Sequence, residues 1–502
     1  MSQYLPFNHE ALKKVKHIVV LMLENRSFDN LLGWLYEDPS EIPDGQEYDG
    51  LSYDLWNPLD NIDSNGVPFT EKVGIRKNGE GYTLGTKYVH NDKVDYSLPN
   101  PDPGEGFKDT NFQLYSNYDV PDLYPPKPLN QGFVNNYKNA MLYGSYSFQD
   151  KPTDPREIMT CYTPEQVPAL SAIAKEFAVC DQWHASVPSQ TLPNRDFFHA
   201  ATSSGNVNND PDGTCDARTI FNQIQETIEV DGRDDLSWKV YSGTSDGKQF
   251  SLTRTIMTRL QPSEFDDNFK NISEFYTDAA NGDLASYTFL EPQFSGPGQN
   301  DQHPPVDVRS GDQLIARVFN AVKNSPAFNE TLLIFTYDEH GGCYDHVPAP
   351  NYATPPEKEK PQGQLGFRFN RLGVRVPTVI VSPYVKKGTI ARPDGYDPYE
   401  HTSVIKTIQL AFDLPGHLTE RDAAAPDISG VLTLDEPRTD IADVEDPPGY
   451  IPSKEAAAPN DLNHVSAKVL EKLSGSKKPD DPAHVHDYIH NTYESHFRVK
   501  KS

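Results

Sequence analysis

The chain has 502 residues, enough for one large domain or two ordinary ones, and a hydrophobic content of 36% supplies a packed core. Against 73 Asp and Glu stand only 45 Lys and Arg, a formal charge of -28. That excess excludes nucleic-acid partners, which need basic groups to neutralise phosphate, and opposes anionic membranes. No run approaches the roughly 18 apolar residues of a membrane span, so any membrane contact is expected to be peripheral. The four cysteines, Cys161, Cys180, Cys215 and Cys343, have neither C-x-x-C spacing nor the density of a disulfide scaffold, and read as buried thiols. The amino terminus MSQYLPFNHEALKK lacks a basic start followed by an apolar stretch. A soluble chain is expected, cytoplasmic or exported by a route other than an ordinary secretory leader.

The first element is the run HIVVLML, residues 17–23, which does not alternate and so reads as a strand buried on both faces. It stops at Glu24, Asn25 and Arg26 with no turn residue between. In open α/β sheets ligands bind at that carboxyl end. Residues 35–146 then lapse into Pro, Asp, Asn, Gly and Tyr, too long for an ordinary connection, and read as an insertion folded over the site. Further along, PALSAIAKEF is a predicted helix, FAVCDQWH a strand and PNRDFFHAATS a helix; SWKVYSG and SYTFLEP are strands. GDQLIARVFNAVKN is helical, TLLIFTYDE and VPTVIVSP are strands, and EHTSVIKTIQLAF is helical. Strands interleaved with helices indicate βαβ units and one mostly parallel sheet sandwiched by helices. The catalytic domain is expected to span residues 1–422, followed by an extension, 423–502, with a Pro- and Asp-rich segment and a terminal helix at about 461–473.

Two of these strands end in acid. The second is LLIFTYDEHGGCYDHVPAP, which delivers Asp338, Glu339, His340, two glycines, Asp345 and His346. Hard oxygen ligands from two strands at one edge could clamp a divalent metal, with the glycines allowing close backbone approach. Taken alone, Asp338 and Glu339 have a less favoured alternative, capping a helix or sitting in a surface turn. In SVPSQTLPNRDFFHAATSSG, Pro193 suits a first helical turn and leaves Thr191 just ahead of it, where backbone N–H groups favour anions. A hydroxyl there is a capping residue, the commoner role, or a nucleophile. A metal beside it would favour the second, because coordination lowers the hydroxyl pKa.

The motifs ENRSFDN, Q-T-x-PNR and YDEHGGxYDHVPxP, with HPPVDV at residues 303–308 and EHTSVIKTI at 400–408, resemble the phosphoesterase family of bacterial and plant non-specific phospholipases C and related bacterial acid phosphatases. The resemblance runs from about Val15 to Leu414. It implies an alkaline phosphatase-like three-layer α/β/α sandwich with catalysis at the strand ends. It also implies that Glu24, Asn25, Asp338 and Glu339 hold a metal, with Thr191 as nucleophile and fifth ligand. Serine takes that place in the phosphatase branch, so threonine looks like the lipase branch. His303 would contact the phosphoryl group or protonate the leaving alcohol. Asn194, Arg195, His199, His340, His346 and His401 lie in matching motifs, as substrate contacts or supporting groups. Where many relatives carry histidine, PDPGEGFKDTNFQLY has Glu105, which would bind a second metal or a choline-like cation, or be a surface acid.

The activity implied is phospholipase C hydrolysis of phosphatidylcholine-like lipids through a phosphoryl-threonine. A broad acid phosphatase or phosphodiesterase on soluble esters, and an inactive phosphate- or lipid-binding module, are the alternatives. A sulfatase would need a modified Cys or Ser, and neither occupies position 191. The expected metal is zinc, with calcium, magnesium and manganese suited to the same oxygen-rich ligands. Oligomeric state is not encoded in any motif.

Overall fold

The computed structural model describes residues 4–63, 65–84, 87–89, 93–143, 154–209, 214–245, 247–357, 363–395, 397–451 and 461–497. Its centre is an eight-stranded sheet. In chain order the strands are β1 (His17–Leu23), β2 (Ala178–Val179), β3 (Trp238–Ser242), β4 (Phe269–Asn271), β5 (Tyr287–Glu291), β6 (Thr331–Tyr337), β7 (Val379–Val381) and β8 (Thr389–Ile390). Their spatial order is β4-β3-β5-β1-β6-β7-β2-β8. All neighbouring pairs are parallel except those of β7, which runs against both β6 and β2. The fold is therefore α/β with a mostly parallel sheet, as the interleaved pattern predicts.

β1 lies between β5 and β6, and Ile18 to Leu23 are all fully buried, which accounts for a run with no polar alternation. Helices form two groups. One is α3 (Pro168–Glu176), α6 (Ile272–Asn281) and α7 (Val308–Lys323), packed around α7; the other is α4 (Thr191–Ala200), α5 (Ile220–Asp231) and α8 (Thr402–Ala411), packed around α4. In α7, Leu314, Ile315, Val318, Phe319 and Val322 recur at three- and four-residue spacing and bury one face against the sheet.

Three details differ from the sequence reading. Strands β4 and β8 span three and two residues, too short to carry a period. The predicted strand FAVCDQWH is two pieces: Ala178–Val179 joins the central sheet, whereas Trp183–His184 pairs with Tyr399–Glu400 outside it. A further helix, α10 (Val485–Phe497), follows α9 (Asp461–Ser474).

Within residues 35–146 a hairpin, Trp56–Ile62 with Pro68–Gly74, and two helices, α1 (Phe107–Tyr115) and α2 (Phe133–Tyr143), surround a second apolar cluster. Leu59, Val73, Leu114, Phe133 and Val134 meet Tyr344 and Val374 there, which fastens the segment to the chain following β6. Positions 64, 85–86, 90–92 and 144–146 of that stretch, and 452–459 of the Pro-rich one, lie outside the described residues. Among the described residues no helix is long and apolar enough to cross a membrane.

Candidate active site

The register of the sheet brings the acids to one edge. Leu23 pairs with Tyr337, so Glu24 and Asp338 are the next residues of adjacent parallel strands, and Asp338 N donates to Leu23 O at 3.3 Å. β5 on the other side of β1 also ends in acid, Glu291. Glu24, Asn25, Asp338, Glu339, Glu291 and Arg195 are all buried, with exposure of 1% or less. Arg195, on α4, donates from Nη2 to Glu24 Oε1 at 3.1 Å and from Nε to Asp338 Oδ2 at 3.2 Å. Asp338 Oδ1 also accepts from the backbone N–H groups of Asn25 and Glu339, at 3.1 and 2.8 Å.

One guanidinium does not balance this many buried acids. Among the described residues, Glu24 Oε2 and Glu339 Oε1 have no hydrogen-bond partner. Burial, then the charge of Asp338, holds the pKa of both glutamates well above the usual range. Asp301, whose backbone O accepts from Glu24 N at 2.9 Å, is pushed by burial to about 8. Buried carboxylates with unpaired oxygens are what a divalent cation relieves, so the residues present fit one. Among the described residues, two groups of three acidic or histidine side chains bring ligand atoms within 4.8 Å of one another, neither including Glu24, Asp338 or Glu339: Asp29, Asp345 and His346, and Asp102, Glu105 and His303. In the first, Arg375 already bridges both acids at 2.8 and 3.0 Å, so the charge is met without a cation.

Asn25 is the hinge of the site. Its φ of 57° is left-handed, a conformation asparagine tolerates. Its Nδ2 donates to Glu105 Oε2 at 2.5 Å and faces His303 Nε2 at 3.0 Å, and its Oδ1 lies 3.5 Å from Thr191 Oγ1. His303 Nδ1–H donates to Pro304 O at 2.8 Å, so Nε2 is the unprotonated acceptor, and burial pushes the ring down to about 4. Thr191 is the first residue of α4, with Gln190 rather than Thr191 at the capping position. Asn194 secures the approach: its amide bonds the backbone of Val187, Ser189 and Gln190.

The chain matches the Phosphoesterase family over residues 15–415. It belongs to that family. This phosphoesterase is 34% identical to non-specific phospholipase C4 of Arabidopsis thaliana over 446 residues, 85% of this chain and 73% of that one. It is 26% identical to phospholipase C B of Mycobacterium tuberculosis over 467 residues, 85% and 79% of the two chains. Among solved structures, an alkaline phosphatase superfamily protein from Vibrio parahaemolyticus matches with a TM-score of 0.27 and 10% identity, covering 52% of this chain and 67% of that one. The phosphoesterase is accordingly a phosphoric ester hydrolase.

His401, His340 and His199 surround this centre. His401 Nε2 donates to Asp338 O at 2.6 Å, and His340 pairs Nε2 with Gln113 Oε1 at 2.7 Å while Nδ1 lies 3.3 Å from Glu339. His199 Nε2 meets Thr253 Oγ1 at 3.2 Å, and that hydroxyl donates to Glu291 Oε1. Burial favours the neutral form of all three rings by lowering their pKa, that of His340 to about 3. His346 stands apart: burial opposes its proton, but Asp29 at 2.7 Å more than offsets this and raises its pKa. Sequence reading passed over Glu291, Asp301 and Asp102. Glu291 was findable, because SYTFLEP ends in acid just as the two chosen strands do.

Proposed function

We propose that this phosphoesterase is a phospholipase C that cleaves zwitterionic, phosphatidylcholine-like lipids through a phosphoryl-threonine at Thr191, with a divalent cation held by Glu24, Asn25, Thr191, Asp338 and Glu339. One observation carries the reading. The Thr191 hydroxyl, at the head of α4, lies 3.5 Å from Asn25 Oδ1 in the buried centre that also holds the unpartnered oxygens of Glu24 and Glu339. When bound, the cation would lower the hydroxyl pKa and offset charge on the phosphoryl oxygens. Thr191 Oγ1 bonds phosphorus as the bond to the glycerol oxygen breaks, and diacylglycerol leaves with a proton. Water then splits the P–Oγ1 bond and releases the phosphorylated head group. The positive end of the α4 dipole would favour the equatorial oxygens, with Leu192 N already donating to Asn209 Oδ1 at 2.8 Å and Pro193 carrying no N–H. His303, neutral and bonded to Asn25, serves the leaving oxygen only after gaining a proton that its burial disfavours.

The proposed donors are all oxygen atoms, which suit calcium, magnesium or manganese as well as zinc. His340 and His401, which would favour zinc, each direct Nε2 elsewhere, to Gln113 and the Asp338 carbonyl. The relatives named phospholipase C, matched over most of the chain, support the lipid substrate. The same reading takes residues 1–422 as the catalytic unit, with 35–146 an insertion contributing Asp102 and Glu105 and 423–502 an extension.

Replacing Thr191 with Ala should reduce turnover by at least about a thousandfold, with thermal stability retained and the cation still held by the four other ligands, Glu24, Asn25, Asp338 and Glu339. Diacylglycerol release from phosphatidylcholine is the assay, beside phosphate release from p-nitrophenyl phosphate. Near-normal turnover by T191A would remove the nucleophile, and activity on the small ester alone would assign the site to soluble phosphoesters.

A further inference from the structure

We infer that Glu105 is a positioning residue that sets which way the Asn25 amide faces and thereby aims Asn25 Oδ1 at Thr191. The inference rests on the proposed role of Asn25 as an oxygen ligand.

The argument is one of hydrogen-bond polarity. An amide has a donor end and an acceptor end, which exchange places when it rotates by half a turn, and its surroundings decide between them. On one side of Asn25 stand Glu105 Oε2, at 2.5 Å, and His303 Nε2, at 3.0 Å. Both accept only: the first is a carboxylate oxygen, and the second is the unprotonated nitrogen of a ring whose Nδ1–H is committed to Pro304 O. Only the NH₂ end of Asn25 satisfies both, so Oδ1 is left facing Thr191 Oγ1 at 3.5 Å. The flipped amide would set its oxygen against two acceptors in a buried centre.

Glu105 is itself anchored, with 5% exposure. Its carbonyl accepts from Thr110 Oγ1 at 3.2 Å, and the preceding Gly104 carbonyl accepts from Gln113 Nε2 at 2.6 Å. Its other oxygen, Oε1, accepts from Gln190 Nε2 at 3.4 Å, while Gln190 Oε1 accepts from Asn209 N at 3.0 Å. Gln190 immediately precedes Thr191, so one carboxylate ties together Asn25 and the residue before the hydroxyl. An anionic acceptor on an amide N–H also draws electron density toward the amide oxygen. That makes Oδ1 a better donor to a cation, as partners of metal ligands commonly do.

A double-mutant cycle with reversed polarity tests this. In Asn25→Asp a carboxylate confronts Glu105 and His303, three acceptors together. In Glu105→Gln the acceptor charge is lost but an amide oxygen can still receive the Asn25 N–H. In the double variant Asn25→Asp, Glu105→Gln, the glutamine NH₂ can donate to the aspartate and rebuild the bond the other way round. Affinity for the divalent cation recovered with the wild-type protein is measured on substrate-free protein by titration against a chelator, with kcat/KM for p-nitrophenyl phosphate alongside. E105Q is expected to lose roughly tenfold in cation affinity and N25D about a hundredfold or more, with the double variant at least tenfold better than N25D. Losses that simply multiply would overturn the inference. If N25D does not fold, Glu105→Ala decides: a loss of tenfold or more supports the orienting role, and wild-type affinity overturns it. If the active wild type binds no cation, the metal reading fails, while the kcat/KM cycle still reports whether Glu105 acts through Asn25. A defect in E105Q confined to phosphatidylcholine and absent with the small ester would make Glu105 a head-group contact and overturn the positioning role.

Discussion

A buried carboxylate oxygen without a partner is costly, and among the described residues the centre of this site holds such oxygens on Glu24 and Glu339, beside Arg195. The raised pKa values of Glu24, Glu339 and Asp301 express that cost. A carboxyl whose pKa is higher folded than unfolded binds its proton more tightly in the folded state. The stability it contributes is complete below the unfolded value and is lost as pH rises through the folded one. Chelated protein should therefore lose thermal stability as pH rises from about 4 and through about 8, the folded value of Asp301. Adding a divalent cation at the top of that range should restore it. Melting curves against pH, with chelator and with cation, check the slope; a chelated protein equally stable across the range would mean that Arg195 and the backbone already satisfy the acids.

Between residue and fold lies the turn that follows β6. Gly341 and Gly342 both have positive φ, 61° and 65°. A Cβ on Gly341 would stand 2.1 Å from the Asn25 carbonyl oxygen, and one on Gly342 would stand 2.5 Å from the Gly104 carbonyl oxygen. The paired glycines thus let the acid-bearing turn pass against both Asn25 and the segment carrying Glu105. Gly341→Ala should destabilise the protein by about 1–3 kcal/mol from backbone strain alone. It should also depress kcat beyond what the stability loss explains, because relief of the clash displaces Asn25. Denaturant unfolding together with kcat separates the two effects, and an unperturbed variant would show that the turn relaxes freely. At this scale the long elements were legible: β1, β5, β6, α4 and α7 each span enough residues to display a period or an unbroken apolar run. The short strands β4 and β8 were not, since pairing with neighbours rather than their own composition makes them strands.

Over the whole molecule, the carboxyl-terminal helices reach the site through a chain of packed rings. On α10, Tyr493 meets Phe250 at 5.7 Å between centroids, Phe250 meets Phe294 at 6.2 Å, and the Arg195 guanidinium lies 5.2 Å from the Phe294 ring. His490 Nε2 meets Ser295 Oγ at 3.2 Å, and Gln249 N donates to Glu494 Oε1 at 2.7 Å. Val485, Ile489, Tyr493 and Phe497 are buried in the main core cluster. Ending the chain after Gly475 should expose these contacts and cost several kcal/mol, at about 1.5–3 kcal/mol for each large apolar side chain lost from the core. Activity should fall with it, because Ser295 and Phe294 belong to the segment between Glu291 and His303. A truncated protein with unchanged melting temperature and kcat would make α10 dispensable.

The sequence by itself determined that strands end in acid at one edge of a parallel sheet. Unbroken apolar runs such as residues 17–23 have few other uses, and the polar residues that stop them stay adjacent in the chain. The tertiary structure alone decided how those acids are met. Arg195 reaches Glu24 across 171 positions, Glu105 reaches Asn25 across 80, and His303 reaches Asn25 across 278. It also decided that β7 runs antiparallel and that His346 serves the Asp29–Arg375 pair rather than the centre. Local pattern reports which groups a segment must bury. The partner each buried group finds depends on chain closure over long separations, and no local period records it.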